Sequence, residues 1–190
     1  MHKFNPDKKS KLDSPLRRKV LPPKETLENF DLKQGDIFAD IGCGTGYFSF
    51  PAAEIVASEG KVFAMDISNE MIEDVVKKQD EENITNIEVV KTEENDLVIP
   101  EETATYSFMS LVFHEIKYKK LFLTEIRRIL KEDGKLLIIE WIKKDTGMGP
   151  KVEERLATEE IQESLKHHGF KIEKTEEISD TFVGILARKI

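Results

Sequence analysis

The sequence contains a single cysteine, Cys43, among 190 residues. That excludes an internal disulfide and any centre built on several thiolates. No apolar run approaches the roughly eighteen residues that a membrane span needs. The opening stretch Met1-His2-Lys3-Phe4-Asn5-Pro6 lacks the apolar segment of a secretory signal. Repeats and low-complexity tracts are also missing. A soluble cytoplasmic domain is the expectation. Charge, by contrast, is abundant: 35% of the residues are Asp, Glu, Lys or Arg. Eleven phenylalanines and frequent Ile, Val and Leu nonetheless argue for a packed chain rather than a disordered one. The length suits one core, not two.

The net charge of −8 is unevenly spread. Residues 1–24 carry eight basic groups against Asp7 and Asp13, so the remaining chain holds about −14. An acidic body repels polyphosphate, and any nucleic-acid binding would have to come from this arm alone. The arm mixes charge with spaced apolar residues (Phe4, Leu12, Leu16, Val20, Leu21) and prolines at 6, 15, 22 and 23. Those prolines disfavour one long helix and predict short pieces docked by the apolar residues. The expected division is therefore a basic arm or lid, 1–24, before a domain spanning 25–190.

Apolar runs alternate with helical patterns in that domain. Ile37 to Ile41, Lys61 to Met65, Ile87 to Val90, Thr105 to Val112 and Leu136 to Ile139 read as buried strands. Helical spacing falls between them, from Tyr47 to Ala57, after Ser68 or Asn69, and from about Tyr118 to Leu130. Asp133-Gly134 reads as the turn into the fifth strand. A last helix, about Thr158 to His168, precedes strands Phe170 to Thr175 and Phe182 to Ala187. The link Glu176 to Thr181 is too short for a parallel crossover, so those two strands should form an antiparallel hairpin. The predicted fold is α/β: a doubly wound, Rossmann-like seven-stranded sheet, mostly parallel, with one antiparallel strand near the C-terminus.

Candidate chemistry begins at Asp40-Ile41-Gly42-Cys43-Gly44-Thr45-Gly46, where the first strand ends. Glycines there let the backbone turn tightly and approach a ligand in the crevice of a doubly wound sheet. The spacing is Gly-x-Gly-x-Gly, with Tyr47 where the dinucleotide fingerprint has its third glycine. That disfavours a nicotinamide site. Asp66 follows the second strand, where a carboxylate can accept both hydrogen bonds of a ribose diol; capping the next helix is its other reading.

Together with Leu130-Lys131-Glu132-Asp133-Gly134-Lys135-Leu136, these segments resemble the hallmarks of class I S-adenosylmethionine-dependent methyltransferases. The nearest resemblance is to the small ubiquinone/menaquinone-biosynthesis-like (type 11) enzymes, over roughly residues 25–190. Glu132-Asp133 stand where the family usually has Pro-Gly. The resemblance implies S-adenosylmethionine as cofactor and S-adenosylhomocysteine as product. It places the methionine portion against Gly42, Gly44 and Gly46 with Asp40 nearby, the ribose on Asp66, the adenine beside Ile67, and Leu111 near the sulfonium. The family's usual segment after the third strand is replaced by Lys91-Thr92-Glu93-Glu94-Asn95, and Thr92 or Glu93 takes the adenine role. Cys43 reads as a small filler.

Two residues are candidates for catalysis. His114, just past the fourth strand, could accept a proton near neutrality or serve as a hydrogen-bonded structural histidine. Tyr47 could contact the transferring methyl or simply pack. Trp141 reads more as packing than as a substrate contact. His167 and His168, at a helix C-terminus, are not expected to bind metal, and no metal site is expected elsewhere. The expected partner is a small-molecule acceptor, with an RNA or protein acceptor and a non-catalytic cofactor binder as alternatives. Oligomeric state is not written in these residues.

Overall fold

A computed structural model describes residues 13–190. Its strands are β1 (Ile37–Ile41), β2 (Lys61–Asp66), β3 (Ile87–Lys91), β4 (Ala104–Ser110), β5 (Leu130–Trp141), β6 (Phe170–Glu177) and β7 (Phe182–Lys189). Its helices are α1 (Pro15–Val20), α2 (Pro23–Asn29), α3 (Ser49–Val56), α4 (Asn69–Glu82), α5 (Lys119–Ile129) and α6 (Thr158–His167). The strands form one sheet in the order β3-β2-β1-β4-β5-β7-β6. Only β7 runs against its neighbours, pairing antiparallel with β5 and β6. This is the doubly wound sheet with one reversed strand that the chain order predicts.

Alternate residues of each strand feed opposite layers, because successive side chains point to opposite faces. Ala39, Phe63, Met65, Met109 and Ile138 join Phe122, Leu123, Ile126 and Ile129 of α5 and Ile161 and Leu165 of α6. Phe38, Ala64, Phe108 and Leu137 pack on the other face with Leu27, Phe30, Phe50, Val56 and Val75. Helix α5 places its apolar residues at 122, 123, 126 and 129, one face of a helix. Helix α4 begins at Ser68, whose hydroxyl accepts from the Met71 N–H at 3.4 Å, and ends on Asn83 in the left-handed region (φ 54°).

Several boundaries differ from the sequence expectation. Helix α3 starts at Ser49, so Tyr47 and Phe48 lie in the turn before it. Strand β5 starts at Leu130, with no break after α5, not after the Asp133-Gly134 turn. The register explains this: Ala104 pairs with Leu130 but Tyr106 pairs with Lys135, so the intervening β5 residues form a bulge with Asp133 at φ 60°. Leu16 is 53% exposed and is no anchor, whereas Leu21 is fully buried. Phe4 and Leu12 lie outside the described residues.

Prolines divide the described part of the arm as expected. Pro15 opens α1 behind the Ser14 cap, and Pro23 opens α2. No helix among the described residues is long and apolar enough to cross a membrane.

Candidate active site

The carboxyl ends of β1, β2, β3, β4 and β5 open onto a cavity of about 1310 Å³. That exceeds the roughly 300–1000 Å³ of a pocket for one small ligand. Asp40, Gly42, Gly44, Tyr47, Asp66, Ile67, Thr92, Glu93, Leu111 and His114 all line it. Gly46 does not. A side chain there would meet the Phe50 ring at 2.5 Å, so Gly46 serves the packing of α3 rather than the cavity wall.

Three glycines at positive φ make the loop: Gly42 (74°), Gly44 (55°) and Gly46 (80°). A Cβ on Gly42 would lie 2.7 Å from the Val112 side chain. Asp66 holds this loop in place. One carboxylate oxygen accepts from the Gly44 N–H at 3.0 Å and the other from the Ser68 N–H at 2.8 Å. The helix cap proper is Ser68, so Asp66 ties the glycine loop to the turn after β2. Burial pushes the Asp66 carboxyl up, against the hydrogen bonds from Ser68 and Gly44.

Asp40 is 2% exposed and accepts from the Ser49 hydroxyl at 2.6 Å. Burial pushes its carboxyl up to about 7, so a neighbouring cation would draw out its charge. Burial likewise pushes the Cys43 thiol well up, which removes thiolate chemistry at neutral pH.

Tyr47 is committed on two sides. Its hydroxyl donates to the Leu21 carbonyl at 2.7 Å, and the Arg17 guanidinium lies 4.4 Å from its ring centroid. Through these contacts it pins α1 against the cavity, where Ser14, Leu16 and Arg17 form part of the wall.

His114 sits in a single turn, Phe113–Glu115, beyond β4. Its Nδ1 is 2.9 and 3.0 Å from the two oxygens of Glu140, and its backbone N–H donates to the same carboxylate at 3.0 Å. Glu140 is 2% exposed and was missed in the sequence, although an acid closing the apolar run Leu136-Leu137-Ile138-Ile139 was the available signal.

A second missed residue is Arg155, which is buried. Its guanidinium donates to the carbonyls of Ile142 (3.0 Å), Lys144 (2.6 Å), Pro150 (3.0 Å) and Met148. It therefore folds residues 142–150 into the cavity wall beside Trp141, Gly149 and Met148. Nothing in Lys151-Val152-Glu153-Glu154-Arg155 signalled this, because its partners are backbone carbonyls. His167 and His168 bond the carbonyls of Glu163 and Ser164 and lie away from the cavity.

A family model described as a methyltransferase domain matches residues 25–181. The chain belongs to that family. It is a class I S-adenosylmethionine-dependent methyltransferase, and a solved relative bears this out at full length. The structure of an S-adenosylmethionine-dependent methyltransferase from Aquifex aeolicus superposes with a TM-score of 0.95 at 33% identity, covering 99% of this chain and 100% of that one. A demethylmenaquinone methyltransferase of Oceanobacillus iheyensis is 27% identical over 119 residues, 62% of this chain and 49% of that protein. The ubiquinone/menaquinone biosynthesis C-methyltransferase UbiE of Francisella philomiragia is 29% identical over 130 residues, 68% of this chain and 52% of that protein. This methyltransferase thus spans about half the length of those curated relatives.

The lining fits the cofactor. Carboxylates of Asp66, Glu93, Glu94 and Glu115 outnumber the cations Arg17 and Lys91 around the cavity, and Asp40 adds charge once a cation sits beside it. Such a field favours a ligand carrying a sulfonium and an ammonium.

Proposed function

We propose that this methyltransferase transfers the methyl group of S-adenosylmethionine to a small-molecule acceptor. The observation that carries the reading is the glycine loop tied to Asp66, facing a cavity larger than one small ligand needs. When bound, the cofactor supplies an electrophilic methyl group on a positively charged sulfur. Gly42 and Gly44 would bring backbone to its methionine portion, with the Asp40 carboxylate facing the ammonium. Asp66 would take the ribose hydroxyls, Ile67 would flank the adenine, and Thr92 or Glu93 would meet its amino group. Thr92 is buried and bonded through its N–H to the Asp66 carbonyl at 3.0 Å, which keeps that segment close to the ribose end.

Leu111, Phe122, Trp141, Met148 and Phe182 contribute apolar surface to the rest of the wall. It suits a flat, apolar acceptor and the exclusion of water that methyl transfer requires. The names of the curated relatives support reduced quinones as the first compounds to try. A screen with labelled methyl donor, covering soluble metabolites and reduced naphthoquinones, tests the acceptor class. Label appearing only in RNA or protein would overturn the small-molecule reading.

S-Adenosylmethionine and S-adenosylhomocysteine are expected to raise the melting temperature, and NAD is not. Saturating ligand at one site stabilises by about 2–4 kcal/mol, since only the folded chain binds. A matching shift with NAD would show that the cavity reads a dinucleotide instead.

A further inference from the structure

We infer that Glu140 fixes His114 as the proton acceptor of methyl transfer, so that the acceptor is a group that loses a proton as it is methylated. The inference rests on the methyltransferase reading above and adds a residue pair to it. Glu140 stands at the end of an apolar strand, where a carboxylate is costly unless it is paired. Its oxygens are met by His114 Nδ1 at 2.9 and 3.0 Å, by the His114 backbone N–H at 3.0 Å and by the Trp141 N–H at 3.3 Å. A carboxylate only accepts, so the neutral imidazole must carry its proton on Nδ1. The lone pair is then on Nε2. Nothing among the described residues hydrogen-bonds to Nε2, and His114 is one of the residues lining the cavity.

The arrangement does two things. It locks the tautomer and the ring plane, since the backbone N–H of the same residue grips the same carboxylate. It also stabilises the imidazolium that forms once a proton arrives. The charged groups facing His114 are Glu140 from β5, Glu115 on its own turn and Lys119 from α5. Burial alone would lower the histidine's pKa, but the bond to Glu140 and the charges of Glu140 and Glu115 outweigh it and raise the value, against Lys119. The base form is therefore gained at a higher pH than for an ordinary histidine.

The step balances. The acceptor's nucleophilic atom forms a bond to the methyl carbon, and the carbon–sulfur bond breaks with its electron pair remaining on sulfur. The acceptor proton passes to Nε2 and leaves later to solvent. An acidic hydroxyl, or a carbon activated by one, meets this description. A tertiary amine or a thioether has no proton to give and would not need the pair.

The test uses the full chain and needs no acceptor for its first arm. Diethyl pyrocarbonate acylates a neutral imidazole at a reachable nitrogen, and peptide mass mapping separates His114 from the other histidines. His114 should react in the folded, S-adenosylhomocysteine-loaded protein, with a pH midpoint above that of an ordinary histidine. Glu140→Gln should move that midpoint to lower pH, and Glu140→Asp should return it part of the way. A His114 that reacts only after unfolding, or a midpoint indifferent to Glu140→Gln, would overturn the inference. In the labelled-methyl assay, His114→Gln should lose about 100- to 10,000-fold in turnover while its affinity for S-adenosylhomocysteine stays the same. Turnover within tenfold of the parent would also overturn it. Failure of the parent protein to bind S-adenosylhomocysteine would strike the methyltransferase reading instead, which keeps the two failures apart.

Discussion

Gly44→Val is expected to reduce the affinity for S-adenosylhomocysteine by about 100-fold or more. Gly44 has φ 55°, a region that costs a non-glycine residue roughly 1–3 kcal/mol and a β-branched one the upper part of that range. The N–H of Gly44 donates to Asp66 at 3.0 Å, so relief of the strain would pull the loop off its carboxylate tether. The new side chain would also stand on a residue that lines the cavity, where backbone must come close to the ligand. Strain and obstruction add, and each factor of ten is about 1.4 kcal/mol. Gly44→Ala should show a smaller loss in the same direction. Gly35→Ala supplies the control, because Gly35 has φ 82° with nothing near its missing Cβ and is not part of the cavity. It should lower stability by a similar strain and leave cofactor affinity alone. Calorimetric titration of the three variants checks this. Equal affinity for Gly44→Val and the parent would remove the loop from the binding site.

Removing residues 1–20 is expected to abolish methyl transfer and to weaken cofactor binding about three- to tenfold, on the order of 1 kcal/mol. The cut retains Leu21, which is fully buried and therefore belongs to the core rather than to the arm. What is lost from the described residues is the wall made by Ser14, Leu16 and Arg17, and the guanidinium stacked on Tyr47. We take this segment as a lid that keeps water from the sulfonium and shapes the acceptor's place. The hydroxyl of Tyr47 would keep its bond to the Leu21 carbonyl, so the glycine loop should stay folded. A basic tail for nucleic acid would behave differently: cofactor affinity and small-molecule turnover would survive, and salt-sensitive RNA binding would vanish. Observation of that second pattern would force a different acceptor class.

The features legible in the sequence share a physical basis. Strands buried on both faces must be continuous apolar runs, so β1, β2, β4 and the Leu136–Ile139 part of β5 announce themselves. The reversal of β7 follows from the length of one link. The glycine loop is visible because positive φ and close approach leave few other residues available. The parts that were not legible depend on partners far along the chain. Glu140 acquires its meaning only from His114, 26 residues away, once β4 and β5 lie side by side. Arg155 serves backbone carbonyls, which no residue pattern encodes. The early start of β5 depends on a bulge that breaks the register with β4. Tyr47 was open between two roles because its hydroxyl partner, the Leu21 carbonyl, belongs to the arm.

If Asp66 and the glycine loop hold S-adenosylmethionine, calorimetric titration of S-adenosylhomocysteine into the parent protein and Asp66→Ala will separate the two. Loss of a charged partner to two hydroxyls costs about 1.5–3 kcal/mol, or ten- to a hundredfold in affinity. The upper end is expected here, because Asp66 also anchors the N–H groups of Gly44 and Ser68. The parent should bind one molecule per chain, and the folded variant should bind it at least tenfold more weakly. An Asp66→Ala protein that stays folded and binds S-adenosylhomocysteine as tightly as the parent would remove Asp66 from the cofactor site.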